Sequence, residues 1–198
     1  MSFYCNIKYE LLNSSLNLEF NLLNNDILYL QGANASGKTT AFNIINGFIS
    51  PIGIIQLNGI TLFDSSKKIN ILPKNRNIAR VFQNYSLFPN MNVAKNLDFA
   101  SKNKQLLDYL IEKLEVKPLL SKNIGALSGG QQQKVAIMQS LISSPQLLLL
   151  DEAFTNLDTT TKRIIKEIIK DVKIPVILTS HNTEDTTNFI TKTIVIDN

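Results

Sequence analysis

The sequence has few residues that could cross-link the chain or bind a metal tightly. Among its 198 residues there is one cysteine, Cys5, one histidine, His181, and no tryptophan. A single cysteine excludes an intrachain disulfide and a cysteine metal cluster, and it fits a reducing compartment. No apolar run approaches the roughly 20 residues of a membrane-spanning helix. The N-terminal residues also lack the basic and apolar regions of a signal peptide, so we expect a globular domain that reaches a membrane only through a partner.

Charge is also sparse. Charged residues make up 18% of the chain and the formal net charge is +4, while 44% of the residues are hydrophobic. These values are ordinary for one well-cored domain, with or without a subdomain. The lysines are scattered rather than clustered, which favours a solvated surface over a nucleic-acid patch.

The clearest chemical motif lies at residues 32–40, which fit G-x-x-x-x-G-K-[ST], the phosphate-binding P-loop. An apolar strand pattern at 27–30 precedes the motif and a helical pattern follows it, as a P-loop requires. Lys38 is expected to reach the β- and γ-phosphates of a nucleotide, and the Thr39 hydroxyl to bind Mg²⁺. The alternative is a glycine turn that only starts a helix. The predicted nucleotide-binding residues of the loop are Gly32, Ala33, Asn34, Ala35, Ser36, Gly37, Lys38, Thr39 and Thr40.

Two adjacent carboxylates supply the second motif. Asp151 and Glu152 follow four consecutive leucines, a pattern typical of a buried strand. At the end of such a strand Asp151 can hold Mg²⁺, directly or through water, and Glu152 can act as general base on the attacking water. A strand that simply ends in solvated acids is the alternative, and the P-loop argues against it.

The order of the patterns predicts an α/β fold with a P-loop NTPase core. Strands alternating with helices indicate a mostly parallel sheet, and the early hairpins indicate an antiparallel part. We predict a polar surface connection over 64–77. Predicted strands cover 3–9, 16–22, 27–30, 53–57, 78–82, 147–152, 174–179 and 193–196, and predicted helices 41–46, 93–100, 105–116, 130–143, 160–172 and 183–190.

A second glycine-bearing loop opens the helix at residue 130. Locally it is another backbone cradle for an anion at a helix N-terminus. The sequence over 127–137, Leu-Ser-Gly-Gly-Gln-Gln-Gln-Lys-Val-Ala-Ile, resembles very specifically the signature of ABC-type ATPases. The resemblance implies that the nucleotide also contacts Ser128, Gly129, Gly130 and Gln131.

The same resemblance assigns roles elsewhere in the chain. It implies that Gln83 is the glutamine that contacts Mg²⁺ and the attacking water, and that His181 contacts the γ-phosphate. Residues 156–158 match the loop called the D-loop. Tyr9 lies where the family often stacks an aromatic ring on adenine, although it could equally be an ordinary strand residue. A lone histidine is more often structural, but its place after a strand favours function here.

The resemblance also predicts the domain organisation. It implies one ABC ATPase domain over 1–198, with a core formed by 1–83 and 146–198. Residues 84–145 form a helical subdomain that carries the signature, and no C-terminal regulatory domain is expected. Two residues depart from the usual pattern: Ala153 replaces a common proline and Lys134 a common arginine. Neither change removes a catalytic group.

The stretch 80–93 looks like the ATPases of importers of inorganic anions, metals and polyamines, and the preceding stretches 62–68 and 72–76 look most like those of molybdate importers. Residues 85–93 are then expected to line a groove for a permease helix; an ordinary core segment is the alternative. Sulfate, ferric iron, polyamine or thiamine remain alternative cargoes.

The predicted activity is ATP hydrolysis with Mg²⁺ at the interface of two copies arranged head to tail. The expected partners are membrane permease subunits, a second ATPase copy and, indirectly, a substrate-binding protein, with no nucleic acid. The expected location is peripheral, on the cytoplasmic face of the membrane. The rivals are an ABC ATPase acting on nucleic acid, for which no basic stripe or coiled coil is evident, and an inactive nucleotide-binding regulator, which the presence of Glu152 and His181 disfavours.

Overall fold

The computed structural model describes residues 2–12, 14–82 and 87–196, apart from the side chain of Thr183. Within these ranges, no helix is both long and apolar enough to cross a membrane. The helices are α1 (Lys38–Asn46), α2 (Val93–Ala100), α3 (Lys104–Lys113), α4 (Gly129–Ile142) and α5 (Thr159–Val172). The strands are β1 (Ser2–Glu10), β2 (Ser15–Leu23), β3 (Ile27–Gly32), β4 (Ile52–Leu57), β5 (Ile60–Asp64), β6 (Ile69–Asn70), β7 (Ile78–Val81), β8 (Leu147–Asp151), β9 (Val176–Thr179) and β10 (Lys192–Ile196).

Five strands form a wholly parallel sheet in the order β10-β3-β9-β8-β7. Helices lie in the connections from β3 to β7, from β7 to β8 and from β8 to β9, because parallel neighbours need a crossover, whereas the β9–β10 connection holds only a 3₁₀ turn. All five residues of β8 are buried, since this sheet is covered on both faces. Strand β8 therefore lacks the alternation of a half-exposed strand, as its leucine run predicts.

The other five strands form an antiparallel sheet in the order β2-β1-β4-β5-β6. Strands β4 and β5 are joined by the Asn58-Gly59 turn, in which both residues have positive φ, 54° and 79°. That turn type matches the twist of the flanking strands. The two predicted parts of the fold, one parallel and one antiparallel, are thus both present.

Alternate residues of the parallel sheet enter two different cores. Leu147 and Leu149 pack with α1 and the antiparallel sheet, whereas Leu148 and Leu150 pack with α4 and α5. Helix α1 therefore lies between the two sheets, with Phe42, Ile44 and Ile45 fully buried. Helices α2, α3 and α4 follow one another between β7 and β8 in the chain. The division into a core and a helical subdomain stays a prediction.

One predicted element was wrong. Residues 183–190 form only a 3₁₀ turn, Thr183–Asp185, followed by irregular turns, and Asn188 has a φ of 55°, which an α-helix does not accommodate. The expected surface connection over 64–77 is more ordered than its polarity indicates. It contains β6 and the short 3₁₀ turn Pro73–Asn75, and it places Arg76 in the interior.

Arg76 ties this connection to the end of α1. Its guanidinium donates to the carbonyl oxygens of Ile44 and Ile45 at 3.2 and 2.8 Å, to that of Ile71 at 2.8 Å, and to Asn70 Oδ1 at 2.9 Å. Burial lowers the pKa of Arg76 to about 10, so the side chain is still protonated at neutral pH. A cation at a helix C-terminus also complements the helix dipole.

We expect Arg76→Met to lower the free energy of unfolding by about 3 kcal/mol or more, because methionine keeps the length but leaves buried acceptors unpaired. Urea denaturation followed by circular dichroism measures the change. Lys74→Met is the matched control, since Lys74 is an exposed cation in the same connection. Equal losses in the two variants would contradict the structural role of Arg76.

Candidate active site

The predicted P-loop joins the end of β3 to the start of α1. Gly37 is buried and has a φ of 101°, and Ala35 is also left-handed at 64°, so the chain turns sharply before α1 begins. The first N–H groups of α1 have no partners within the helix and carry its positive dipole end. Lys38 Nζ donates to the carbonyl oxygens of Gly32 and Ala33, both at 2.7 Å. The lysine side chain is thus folded back over the loop whose bound phosphates it is expected to contact.

Ser36 supports the fit of an anion to this loop. Its Oγ is buried and has no hydrogen-bond partner among the described residues. A Cβ added to Gly32 would come within 2.4 Å of that oxygen, so the loop closes tightly on itself. An unsatisfied hydroxyl beside helical N–H groups is what a phosphate-binding cradle provides.

A cleft of about 530 Å³ opens above the loop. It brings together four segments of the chain, three of which follow strands of the parallel sheet, because the carboxyl ends of parallel strands meet at one edge of a sheet. Glu152 follows β8 and His181 follows β9, and both face the P-loop across the cleft. The lining residues are Leu11, Leu12, Ser14, Asn34, Ala35, Gly37, Lys38, Thr39, Thr40, Glu152 and His181.

Glu152 and His181 form a direct pair. His181 Nε2 lies 2.8 Å from Glu152 Oε1, and the imidazole is about half exposed to the cleft. Glu152 has a φ of 51°, which turns its side chain out of the line of β8. Its backbone N–H donates to Thr179 Oγ at 3.2 Å, and its carbonyl oxygen accepts from the Thr155 hydroxyl. A carboxylate and an imidazole at this distance can share and move a proton.

Asp151 is held differently from Glu152. Its Oδ2 accepts from Arg80 Nη2 at 2.6 Å, and its Oδ1 accepts from the Thr179 hydroxyl at 3.0 Å. Asp151 is buried and does not line the cleft, although its strand ends at the cleft edge. Within the described residues no cluster of three or more His, Cys, Asp or Glu side chains could hold a metal. A Mg²⁺ ion held by Asp151, Thr39 and phosphate oxygens fits these residues, since Mg²⁺ needs few protein ligands when phosphates are present.

Sequence reasoning missed Arg80 and Thr179 as parts of this site. A signal existed for Arg80, because a single cation stands inside the apolar pattern of residues 78–82. Thr179 gave only a weak signal, since a polar residue at a strand end is common. Its partner across the sheet, Asp151, is set by the parallel register of β8 and β9.

The signature residues line a second cleft of about 560 Å³, not the P-loop cleft. Ser128 caps α4: its Oγ accepts from the Gln131 N–H at 3.3 Å, and Gln131 Oε1 accepts from the Ser128 N–H at 3.1 Å. Gly130 meets the D-loop so closely that a Cβ there would lie 2.4 Å from the Asn156 carbonyl oxygen. The full lining is Ser128, Gly129, Gly130, Gln131, Lys134, Asn156, Leu157 and Asp158.

Asp158 fixes the other end of this second cleft. It caps α5, accepting from the Thr161 hydroxyl at 2.6 Å and from the Thr161 N–H at 2.9 Å. These hydrogen bonds, with a smaller contribution from Lys134, lower the pKa of Asp158. A lowered pKa means that the cap contributes stability above the ordinary carboxyl pKa and loses it as the pH falls through the lowered value.

Tyr9 is not among the residues that line the cleft, and its predicted contact with adenine stays a prediction. It continues the alternation of Phe3, Cys5 and Ile7, whose side chains enter the core between the sheets, and it packs partly against that core. Leu11 lines the cleft instead, together with its neighbours. Gln83 lies outside the described residues, so its predicted role stays a prediction.

Comparison with known proteins identifies the class. The ABC transporter family profile matches residues 16–155. The chain belongs to this family. It is 35% identical to Molybdenum import ATP-binding protein ModC of Vibrio parahaemolyticus over 204 positions, which cover 100% of this chain and 55% of that protein. The Escherichia coli K12 protein of the same name is 34% identical over 200 positions, 98% of this chain and 57% of the relative. The chain thus spans just over half the length of these curated relatives.

Solved structures show the same fold. An ATP-binding subunit of an ABC transporter superposes with a TM-score of 0.83 at 20% identity, covering 98% of this chain and 85% of that one. A dimeric ATP-binding cassette in a post-hydrolysis state, bound to ADP and Pi, superposes with a TM-score of 0.78 at 22% identity. The match covers 100% of this chain and 94% of that one. At these identities the likeness establishes the fold, which is that of an ABC ATPase domain.

The contact between Gly130 and the D-loop gives a test of the second cleft. We expect Gly130→Ala to lower the free energy of unfolding by about 1–3 kcal/mol, because the added methyl group overlaps the Asn156 carbonyl oxygen. Hydrogen exchange should rise in residues 154–158. Gly125→Ala is the matched control, since a Cβ there meets nothing within 4 Å. Identical stability and exchange in both variants would show that the D-loop is not held against α4.

Proposed function

We propose that the chain is the ATP-binding and ATP-hydrolysing subunit of an ABC importer. One observation carries the proposal: a single cleft joins the P-loop to the Glu152–His181 pair, while the signature residues face a separate cleft. The first cleft holds the groups needed to bind and hydrolyse a nucleotide. The second holds donors with no phosphate site of their own, which fits a role on another copy of the chain.

The P-loop residues bind the phosphates in this scheme. The first residues of α1 line the cleft and their N–H groups bind the phosphates, and Lys38 exchanges the carbonyl oxygens of Gly32 and Ala33 for phosphate oxygens. That exchange needs only a rotation of the lysine side chain. Mg²⁺, when bound by Thr39 and Asp151, with Gln83 as a further predicted ligand, neutralises charge that develops on the phosphates.

Glu152 serves as the general base. It removes a proton from the attacking water, and His181, at 2.8 Å, holds the carboxylate in place and reaches the γ-phosphate. Thr179 fixes the backbone of Glu152 through the N–H bond described above. The reaction yields ADP and phosphate.

A head-to-tail dimer completes the site. In it Ser128, Gly129 and Gly130 of one copy donate to the γ-phosphate held by the P-loop of the other. The dimeric relative with ADP and Pi supports this arrangement, because it shares the fold over the whole chain. Closure on ATP and opening after hydrolysis then drive the permease.

Molybdate is the proposed cargo. The two relatives at 34–35% identity are both described as molybdenum import ATP-binding proteins, and they match essentially the whole of this chain. The proposed partners are membrane permease subunits and, through them, a substrate-binding protein. The chain is then a peripheral protein on the cytoplasmic face of the membrane.

The general base can be tested by Glu152→Gln. We expect ATP turnover to fall by about 10²- to 10⁴-fold, because an amide cannot accept the proton, while ATP binding persists. Size-exclusion chromatography should show an ATP-dependent dimer that the wild type populates only briefly. Glu167→Gln, on the exposed face of α5, is the matched control and should hydrolyse ATP normally. Normal hydrolysis by Glu152→Gln would remove Glu152 from this role.

The cargo can be tested in cells. Deletion of the gene should abolish high-affinity molybdate uptake, and the wild-type chain should restore it, whereas Lys38→Ala should not, because the lysine is needed for the phosphates. Uptake of ⁹⁹Mo-molybdate at nanomolar concentration is the measurement. Unchanged molybdate uptake together with a loss of sulfate or iron uptake would assign a different cargo.

A further inference from the structure

Arg80 is a cation in the interior of the molecule, close to the proposed metal site. It lies in β7 opposite Leu149 of β8, and its side chain is only 4% exposed. The other residues of that strand are Ile78, Ala79 and Val81, all apolar. Arg80 lies on the face of the sheet that packs against α1, and Asp151 lies on the same face two residues beyond Leu149.

The guanidinium bridges two elements. Nη2 donates to Asp151 Oδ2 at 2.6 Å, and Nη1 donates to Asn43 Oδ1 at 2.7 Å. Its carbon lies 5.3 Å from the centroid of the Phe42 ring and 4.5 Å from that of Phe82, so aromatic rings flank the charge. Helix α1 carries Thr39 as well as Asn43. Arg80 therefore connects the proposed carboxylate ligand with the helix that supplies the proposed hydroxyl ligand.

The stability of the fold alone does not explain why a charged guanidinium is buried at position 80. Removing a guanidinium from water is expensive, and well-packed apolar residues often replace a buried ion pair without loss of stability. Apolar partners are available on both sides, in Phe42 and Phe82. The Nε of Arg80 is buried and has no hydrogen-bond partner among the described residues, which adds to the cost.

We propose that Arg80 is a positioning residue of the metal site, and that its charge sets the Mg²⁺ concentration at which the site fills. The inference rests on the proposed function, because it takes Asp151 as a metal ligand. Arg80 holds one oxygen of this carboxylate and Thr179 the other, so the carboxylate is already oriented before a metal arrives. The same guanidinium competes with the metal for the negative charge of Asp151.

Electrostatics gives the direction in which the Arg80 charge changes the affinity of the site for Mg²⁺. A fixed positive charge hydrogen-bonded to a ligand repels a divalent cation at that ligand, and a low local dielectric strengthens the repulsion. A charge next to a metal site in the interior is also poorly screened by salt. Removing the charge should therefore tighten Mg²⁺ binding, whereas a cation of another shape should leave it nearly unchanged.

Three variants separate charge from shape. Arg80→Gln removes the charge and keeps an N–H donor for Asp151. Arg80→Lys keeps the charge and loses the planar fork. Asn43→Ala removes the second partner of the guanidinium without changing its charge, and so serves as the matched control. Urea denaturation of each variant gives its stability separately, and Arg80→Met supplies a second uncharged variant if Arg80→Gln does not fold.

The readout is nucleotide binding rather than turnover. Thermal unfolding of the full chain is measured in a fixed excess of ADP over a range of Mg²⁺ concentrations, and the Mg²⁺ concentration giving half of the stabilisation is recorded. We expect that concentration to fall by about tenfold in Arg80→Gln, as a charge effect of modest size predicts. It should stay within about threefold of the wild type in Arg80→Lys and Asn43→Ala. A purely structural arginine would change the unfolding temperature but not this midpoint.

The outcomes are distinct. An unchanged or higher midpoint in Arg80→Gln would overturn the inference, and so would an equal fall in Arg80→Gln and Arg80→Lys, which would exclude the charge as the cause. If the wild type binds ADP without any dependence on Mg²⁺, the proposed metal site itself fails. That result would refute the role of Asp151 in the proposed function before the question of Arg80 arises.

Discussion

The hydroxyl of Thr179 is the interaction on which the proposed site depends. It donates to Asp151 and accepts from the backbone of Glu152, so one side chain orients two consecutive acids of the neighbouring strand. The arrangement exists because β8 and β9 are parallel and in register at that point. Glu152 then leaves the strand with a positive φ and meets His181, which follows β9. The pairing of two strands thus places both acids and the imidazole.

The burial of β8 explains how these acids stay fixed. Its alternate leucines pack into two separate cores, one shared with α1 and one with α4 and α5. Any movement of the strand end would disturb both cores, and packed interiors do not deform gradually. The P-loop is the connection between β3 and α1, and α1 packs in the first of these cores. Both sides of the cleft are therefore held by the same interior.

Much of this arrangement could be predicted from the sequence, and the exceptions have physical causes. Strands, most helices, the P-loop and the acid pair follow from local patterns, because each pattern reports a backbone preference or a buried face. Arg76 and Arg80 could not be placed, since a cation is normally solvated and only tertiary packing shows which acceptors replace water. For Tyr9 the sequence left open a contact with adenine or an ordinary strand position. The structure packs it partly against the core, and the adenine contact stays a prediction.

The separation of the two clefts is the feature that local patterns could not supply. Ser128 and Gln131 satisfy each other in a capping box, so α4 begins stably without a bound anion. Ser128, Gly129, Gly130 and Gln131 nevertheless line a cleft that they share with the D-loop. Gly130 allows that loop to approach, so the two segments form one surface. In the proposed function these residues act on the P-loop of a second copy, because they line a cleft that does not include the P-loop of their own chain.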